Sequence, residues 1–155
     1  MAHIDLETTI PAPASAVFNV LNAPERRPEW MTNLHEVRIT SQPGNNESWE
    51  YTYTMYGRPF TGKVLVQERE GNRYMKLEVT GGITGVQEWR LTSMPDGTTV
   101  LRFTFDYTVP AMLGGGIADK LFIEQQNIRQ LRTSLENLAS LVAHEHGGIE
   151  KEHTG

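Results

Sequence analysis

Polar and apolar residues alternate through most of the chain, and at both ends the alternation gives way to a helical period. "HIDLETTI" sets Ile4, Leu6 and Thr8 against His3, Asp5 and Glu7, the mark of a half-buried strand. Pro11 and Pro13 stop it, and a helix starting at Pro13 or Ser15 gathers Val17, Phe18, Val20 and Leu21 on one face. Pro24 and Pro28 break up "APERRPEWM", which predicts a loop or a one-turn helix. From residue 34 to 109 the period is two. "HEVRIT", "SWEYTYTMY", "FTGKVLVQE", "YMKLEVT", "VQEWRLTSM" and "VLRFTFDYTV" are predicted strands, separated by turn clusters such as "SQPGNN" and "PDGT". One helix is then predicted from about 117 to 143, where Ile117, Leu121, Ile128, Leu131, Leu135, Leu138 and Val142 recur at helical spacing. The segment "HEHGGIEKEHTG" reads as a frayed polar tail.

Consecutive hairpin-like turns argue for an antiparallel meander, and one apolar face per strand argues for a sheet covered on one side. The long helix carries the largest apolar stripe available to cover it. The expected fold is therefore α+β: a curved antiparallel sheet of about seven strands wrapped around a long C-terminal helix, with short helices after the first strand. One domain over residues 1–146 and a flexible tail over 147–155 fit this order. Monomer and homodimer both stay open.

Composition narrows the chemistry. The 155 residues include 38% hydrophobic and 21% charged, which suits a folded domain with a single core. A formal net charge of −5 supplies no basic surface for nucleic acid. The absence of cysteine excludes disulfides, thiolate metal sites and cysteine nucleophiles. "MAHIDLETTIPAPASAV" has no basic region followed by an apolar run, and no apolar run approaches a membrane span, so a cytoplasmic protein without stable membrane insertion is expected.

The element order resembles the START-like (SRPBCC) helix-grip superfamily, and within it the polyketide cyclase/dehydrase-like branch. The resemblance covers about residues 2 to 143. It is carried by "ETTIPAPASAVFNVLNAPERRPEWM", by "VQEWRL" followed by "GTTVLRFTFDY", and by "GGGIADKLF" leading into "LRTSLENL". These are signatures of fold and not of catalysis. The resemblance implies a deep, mostly apolar cavity between sheet and helix, in which members bind lipids, hormones or polyketide-like molecules and some act on them.

Gly114, Gly115 and Gly116 precede the helix, where glycines can cradle a phosphate. The spacing argues against that: Lys120 follows Gly116 by four residues, Phe122 stands near the place of the required hydroxyl, and the sheet reads antiparallel. A hinge into the helix is the plain reading, and a gate to the cavity is its alternative.

Glu124 falls inside the stripe of Ile117, Leu121 and Ile128, where a carboxylate faces the sheet or the cavity. Burial without a partner would raise its pKa and suit it to acid–base catalysis; pairing with an arginine or tyrosine is the alternative. His35 shares parity with Val37 and Ile39, as a cavity base or as a satisfied strand-end histidine. Tyr51, Tyr53, Trp89, Phe105 and Tyr107 share the inward parity of their strands and would give a wall with polar tips, or plain core. Gln87 shares parity with Trp89 and needs a partner, which makes it a ligand-contact candidate. Trp30 and Met31 sit in the loop after the short helix, where the resemblance puts the cavity mouth, as a lid or as ordinary packing. His144 and His146 are two apart, not the four that shares one helical face, and read as solvated tail. No metal-ligand spacing, Ser-His-Asp order or cofactor motif is present, so no metal or cofactor is expected.

Three functions compete at this stage. The first is binding of a small hydrophobic molecule, lipid-, aromatic- or polyketide-like, by the inward aromatic faces with Ile117, Leu121 and Ile128 of the helix. The second is a metal-free cyclase/dehydratase-type enzyme using Glu124 or His35 with tyrosine hydroxyls. The third is a partner-binding adaptor with an incidental cavity. A sealed core would leave the adaptor; an open cavity with two or more converging titratable groups would favour the enzyme, and one polar anchor the carrier.

Overall fold

The computed structural model describes residues 2–40, 47–55, 58–81, 83–108 and 117–154. Seven strands form one antiparallel sheet: β1 (Ala2–Ile10), β2 (Leu34–Ile39), β3 (Ser48–Met55), β4 (Arg58–Glu70), β5 (Tyr74–Gly81), β6 (Thr84–Ser93) and β7 (Thr99–Thr108). Their order across the sheet is β1-β7-β6-β5-β4-β3-β2. Only the step from β1 to β2 is not a hairpin. It crosses the sheet through helix α1 (Ala14–Leu21) and a 3-10 helix (Pro24–Glu29), and the long helix α2 (Ile117–Thr154) follows β7.

Local chemistry explains these joins. Pro13 is extended, and its carbonyl accepts the first bonds of α1 from the Ala16 and Val17 amides. Two prolines in six residues keep the next segment a 3-10 helix and not an α-helix. The sheet bends at two register shifts, one between Leu34 and Glu36 and one between Val66 and Glu68. Gly81 adds a left-handed residue (φ +107°) opposite Gly62.

The antiparallel register sorts the inward side chains into rows. Leu6, Phe103, Trp89 and Met75 form one row, and Ile4, Phe105, Gln87 and Leu77 the next. Tyr107, Gly85, Val79, Val64 and Trp49 form a third, with Tyr51 beyond it on β3, opposite Gly62. Phe103 and Leu77 are completely buried, as are Leu138 of α2 and Ile10 of β1. On the outer face Arg102 bonds Asp5 (2.6 Å) and His3 meets Asp106 (2.5 Å). These exposed pairs contribute little to stability.

Two expectations change. The helix continues past residue 143 to Thr154, and Glu145 in that stretch pairs with Arg26. That long-range ion pair is invisible to a local reading of "HEHGG". His35 does not share the burial of Val37, because it occupies the bulge where pairing jumps from Leu34↔Tyr53 to Glu36↔Thr52. Parity fails across a bulge, and His35 is exposed. Ile39, beyond it on this edge strand, is 52% exposed.

Candidate functional site

The two rows that include Leu6 and Ile4 lie side by side, yet only the second faces empty space. Ile4, Phe105, Gln87, Tyr107, Val79 and Val64 form the sheet side of a cavity, which Trp49, Tyr51 and Tyr53 of β3 extend. From α2 come Asn127, Gln130, Leu131 and Ser134, and from the segment after the 3-10 helix Met31, Thr32 and Asn33. The space open to centres of water-sized molecules is about 130 Å³, roughly ten times what one water needs. A packing defect does not reach this size.

The wall is oily with fixed polar points. Asn127 Nδ2 donates to the Tyr107 hydroxyl (3.4 Å), and Trp89 Nε1 donates to Gln87 Oε1 (3.3 Å). The Tyr51 and Tyr53 rings lie 5.4 Å apart, and Phe60 stacks on Tyr53 at 5.6 Å. The Tyr53 hydroxyl is buried without a hydrogen-bond partner among the described residues. Burial pushes the Tyr53 phenol up to about 12 and the Tyr51 phenol higher still, so both are neutral hydroxyls at physiological pH. Gly62 is what lets Tyr51 lie against the sheet. A Cβ at Gly62 would collide with the Tyr51 hydroxyl and sit 2.7 Å from the Thr80 carbonyl oxygen.

The segment after the 3-10 helix is pinned to α2. Asn137 Nδ2 donates to the Trp30 carbonyl (3.2 Å), and the Thr32 amide donates to Ser134 Oγ (3.0 Å). Two adjacent arginines precede it. Arg26 bonds Glu29 and Glu145, which hold its guanidinium above the usual arginine range. Arg27 turns inward, is 3% exposed, and is the one charged residue among the described residues that line the cavity. All three tryptophans of the chain surround it: Trp49, Trp30 and Trp89 have ring centroids 5.3, 5.5 and 5.6 Å from its guanidinium carbon. Each such contact gives ~0.5–2 kcal/mol, against several kcal/mol for removing an ion from water. That burial pushes Arg27 down to about 10, and it stays a cation at neutral pH.

The sequence profile described as "Polyketide cyclase / dehydrase and lipid transport" matches residues 1–143. The chain belongs to this family. Among solved structures, it is similar to a protein of Thermus thermophilus (15% identity, TM-score 0.79, 91% of this chain and 97% of that one). It is also similar to the ZhuI aromatase/cyclase of Streptomyces sp. R1128 (17%, 0.77, 92% and 94%). A START superfamily protein of Mycobacterium smegmatis shows the same architecture (14%, 0.74, 90% and 98%). At these identities the likeness establishes the helix-grip fold. No curated protein matches the chain in sequence. Members of the polyketide cyclase/dehydrase family typically hold hydrophobic ligands in the cavity between sheet and helix.

Within that family frame, the cavity gathers Met31, Tyr51, Tyr53, Gln87, Phe105 and Tyr107 of the residues singled out from the sequence. Trp30 and Trp89 stand behind the wall, edge to face at 5.8 Å, and do not line it. Ile128 packs against the core and borders a shallow groove with Gln125 and Arg129 outside the cavity. His35 is exposed and bonds Thr54 Oγ1 (2.5 Å), so the geometry does not make it a cavity base. Ile117, Leu121 and Glu124 belong to α2, but their side chains lie outside the described residues, as does the Gly114–Gly116 segment. Sequence reasoning missed Arg27, because an arginine between prolines in a short loop reads as solvated. It also missed Asn127 and Ser134. Both recur with Leu131 and Leu138 at helical spacing, the same criterion that singled out Glu124. Among the described residues no cluster of histidine and carboxylates could hold a metal ion, and no helix is long and apolar enough to cross a membrane.

Proposed function

We propose that this protein binds a small hydrophobic molecule in the cavity between the sheet and α2. The observation that carries the reading is the division of the inward face: tyrosine, phenylalanine and valine side chains surround space, where the adjacent row is packed solid. Rigid aromatic walls with few polar points favour an apolar ligand held in one orientation. One charged anchor among the described lining residues, with tyrosines that stay neutral, favours a carrier or sensor over acid–base chemistry. The adaptor reading needs an exposed apolar patch, and among the described residues the large exposed apolar ones stand apart, Ile39 on β2 and Met94 in the turn between β6 and β7.

Native mass spectrometry of protein purified from its own host tests the proposal. The expected result is a retained apolar molecule that is lost in Ile83→Trp, since Ile83 is a half-buried wall residue and an indole there fills the space. Equal retention by Ile83→Trp would place the ligand elsewhere and overturn the reading.

A cyclase/dehydratase role is the second reading, favoured by Tyr53, a cavity-lining residue whose hydroxyl has no partner among the described residues. On this reading Tyr53→Phe protein purified from the same host retains a precursor one water heavier than the molecule retained by wild type, and wild-type protein converts that precursor with loss of the water. The same mass from both proteins removes the dehydratase.

A further inference from the structure

Arg27 is more than a polar spot in an oily wall. Its Nη1 donates to the Met31 sulfur, at 3.7 Å. Among the described residues its Nε and Nη2 have no hydrogen-bond partner, and both are buried. These two atoms form one edge of the guanidinium fork, the edge that meets both oxygens of a carboxylate in parallel hydrogen bonds. The tryptophan rings act on the charge of Arg27. They do not supply the acceptors that its N–H groups require. Buried donors are almost always paired in folded proteins, so an orphaned pair on one edge calls for an acceptor. No glutamate or aspartate is among the described cavity-lining residues, so none of them offers Arg27 a counter-ion. Arg26, next in sequence, shows the contrast: two glutamates satisfy it.

We infer that the ligand is an apolar monocarboxylate, whose carboxylate meets Arg27 where that side chain borders the cavity and turns Nε and Nη2 toward itself to pair side-on, while its hydrocarbon or aromatic body fills the space between Tyr51, Tyr53, Phe105 and Leu131. This deepens the binding reading above and rests on it. The one cation among the described wall residues matches one negative charge on the ligand. A dianion such as a phosphate monoester would bring a second charge into an apolar chamber whose described residues have nothing to balance it. The planar fork also suits a planar anion better than a tetrahedral one.

The test is calorimetric titration of wild-type protein with naphthoate and with naphthamide, which share shape and differ in charge. The expected result is a preference for the acid of at least about tenfold, the range of a hydrogen-bonded ion pair. In Arg27→Met the preference for the acid over the amide vanishes. Nitrogen NMR of labelled wild-type protein gives the same answer without a variant: the slowly exchanging Nε–H signal of the buried arginine moves with naphthoate and not with naphthamide. Equal affinity for acid and amide overturns the carboxylate assignment and leaves the hydrophobic-ligand reading standing. A preference that survives Arg27→Met, or an arginine signal that ignores naphthoate, overturns it as well. Failure to bind either compound removes both readings.

Discussion

The two ends of the grip are made from the same strands and the same helix, and they end in opposite states. At one end Leu6, Phe103, Trp89 and Met75 of the sheet are buried, and Leu135, Leu138 and Val142 of α2 are buried with them. At the other end the next rows of the same strands stand beside open space, and α2 presents Asn127, Gln130, Leu131 and Ser134. The sheet does not make this difference, because inward aromatic and branched residues continue through both ends. The helix does. Where its inward side chains are apolar, burial draws helix and sheet together. Where they are amides and hydroxyls, bonded to Tyr107, Thr32 and their own helix, the gap stays open.

Shortening the helix side chains must therefore cost more at the packed end. Leu138→Ala removes a completely buried side chain and should destabilise the fold by ~2–5 kcal/mol. Leu131→Ala, at the half-buried cavity wall, should cost about 1 kcal/mol. Urea denaturation of the two variants measures the gap, and equal losses would erase the distinction between the ends.

Gly62→Ala probes the hollow end from the sheet side. The new methyl group meets both the Tyr51 hydroxyl and a backbone oxygen, so relaxation of one side chain is not enough. A loss of about 1–3 kcal/mol is expected, together with weaker ligand retention as Tyr51 is driven toward the cavity. Thermal denaturation and native mass spectrometry read the two effects. Tyr51→Phe in the same chain should recover part of the stability.

The smallest effect, absent at neutral pH, distinguishes the ends by titration. Burial raises the Tyr51 and Tyr53 phenols above their ordinary value, so the folded protein holds these protons more tightly than the unfolded chain. Their contribution is complete below about pH 10 and is lost as pH rises toward 12 and beyond. Unfolding free energy should therefore fall across that window, and the Tyr51→Phe/Tyr53→Phe double variant should fall less steeply. A double variant that tracks the wild type would show that these hydroxyls titrate as exposed ones.

The comparison also marks what could be read from residues alone. Strict alternation in "VLRFTFDYTV" predicted β7 and its inward face, because a register of period two leaves no other choice. The same alternation in "SWEYTYTMY" predicted β3 equally well. It could not tell that Phe103 would be packed and Tyr53 would border a cavity, since parity says which way a side chain points and not what it meets. His35 shows where parity itself fails, at a bulge set by the pairing of two strands. Arg27 shows a further limit. Its burial depends on Trp30, Trp49 and Trp89 arriving from three different elements, which no local window contains.

That convergence has an optical consequence. The chain has three indoles, and all three report from one place, around a single cation at the cavity wall. Its intrinsic ultraviolet emission is therefore not an average over the molecule but a local reading of the field at Arg27. A charge arriving there should shift the colour of the whole protein's fluorescence, and the fold carries its own indicator of occupancy.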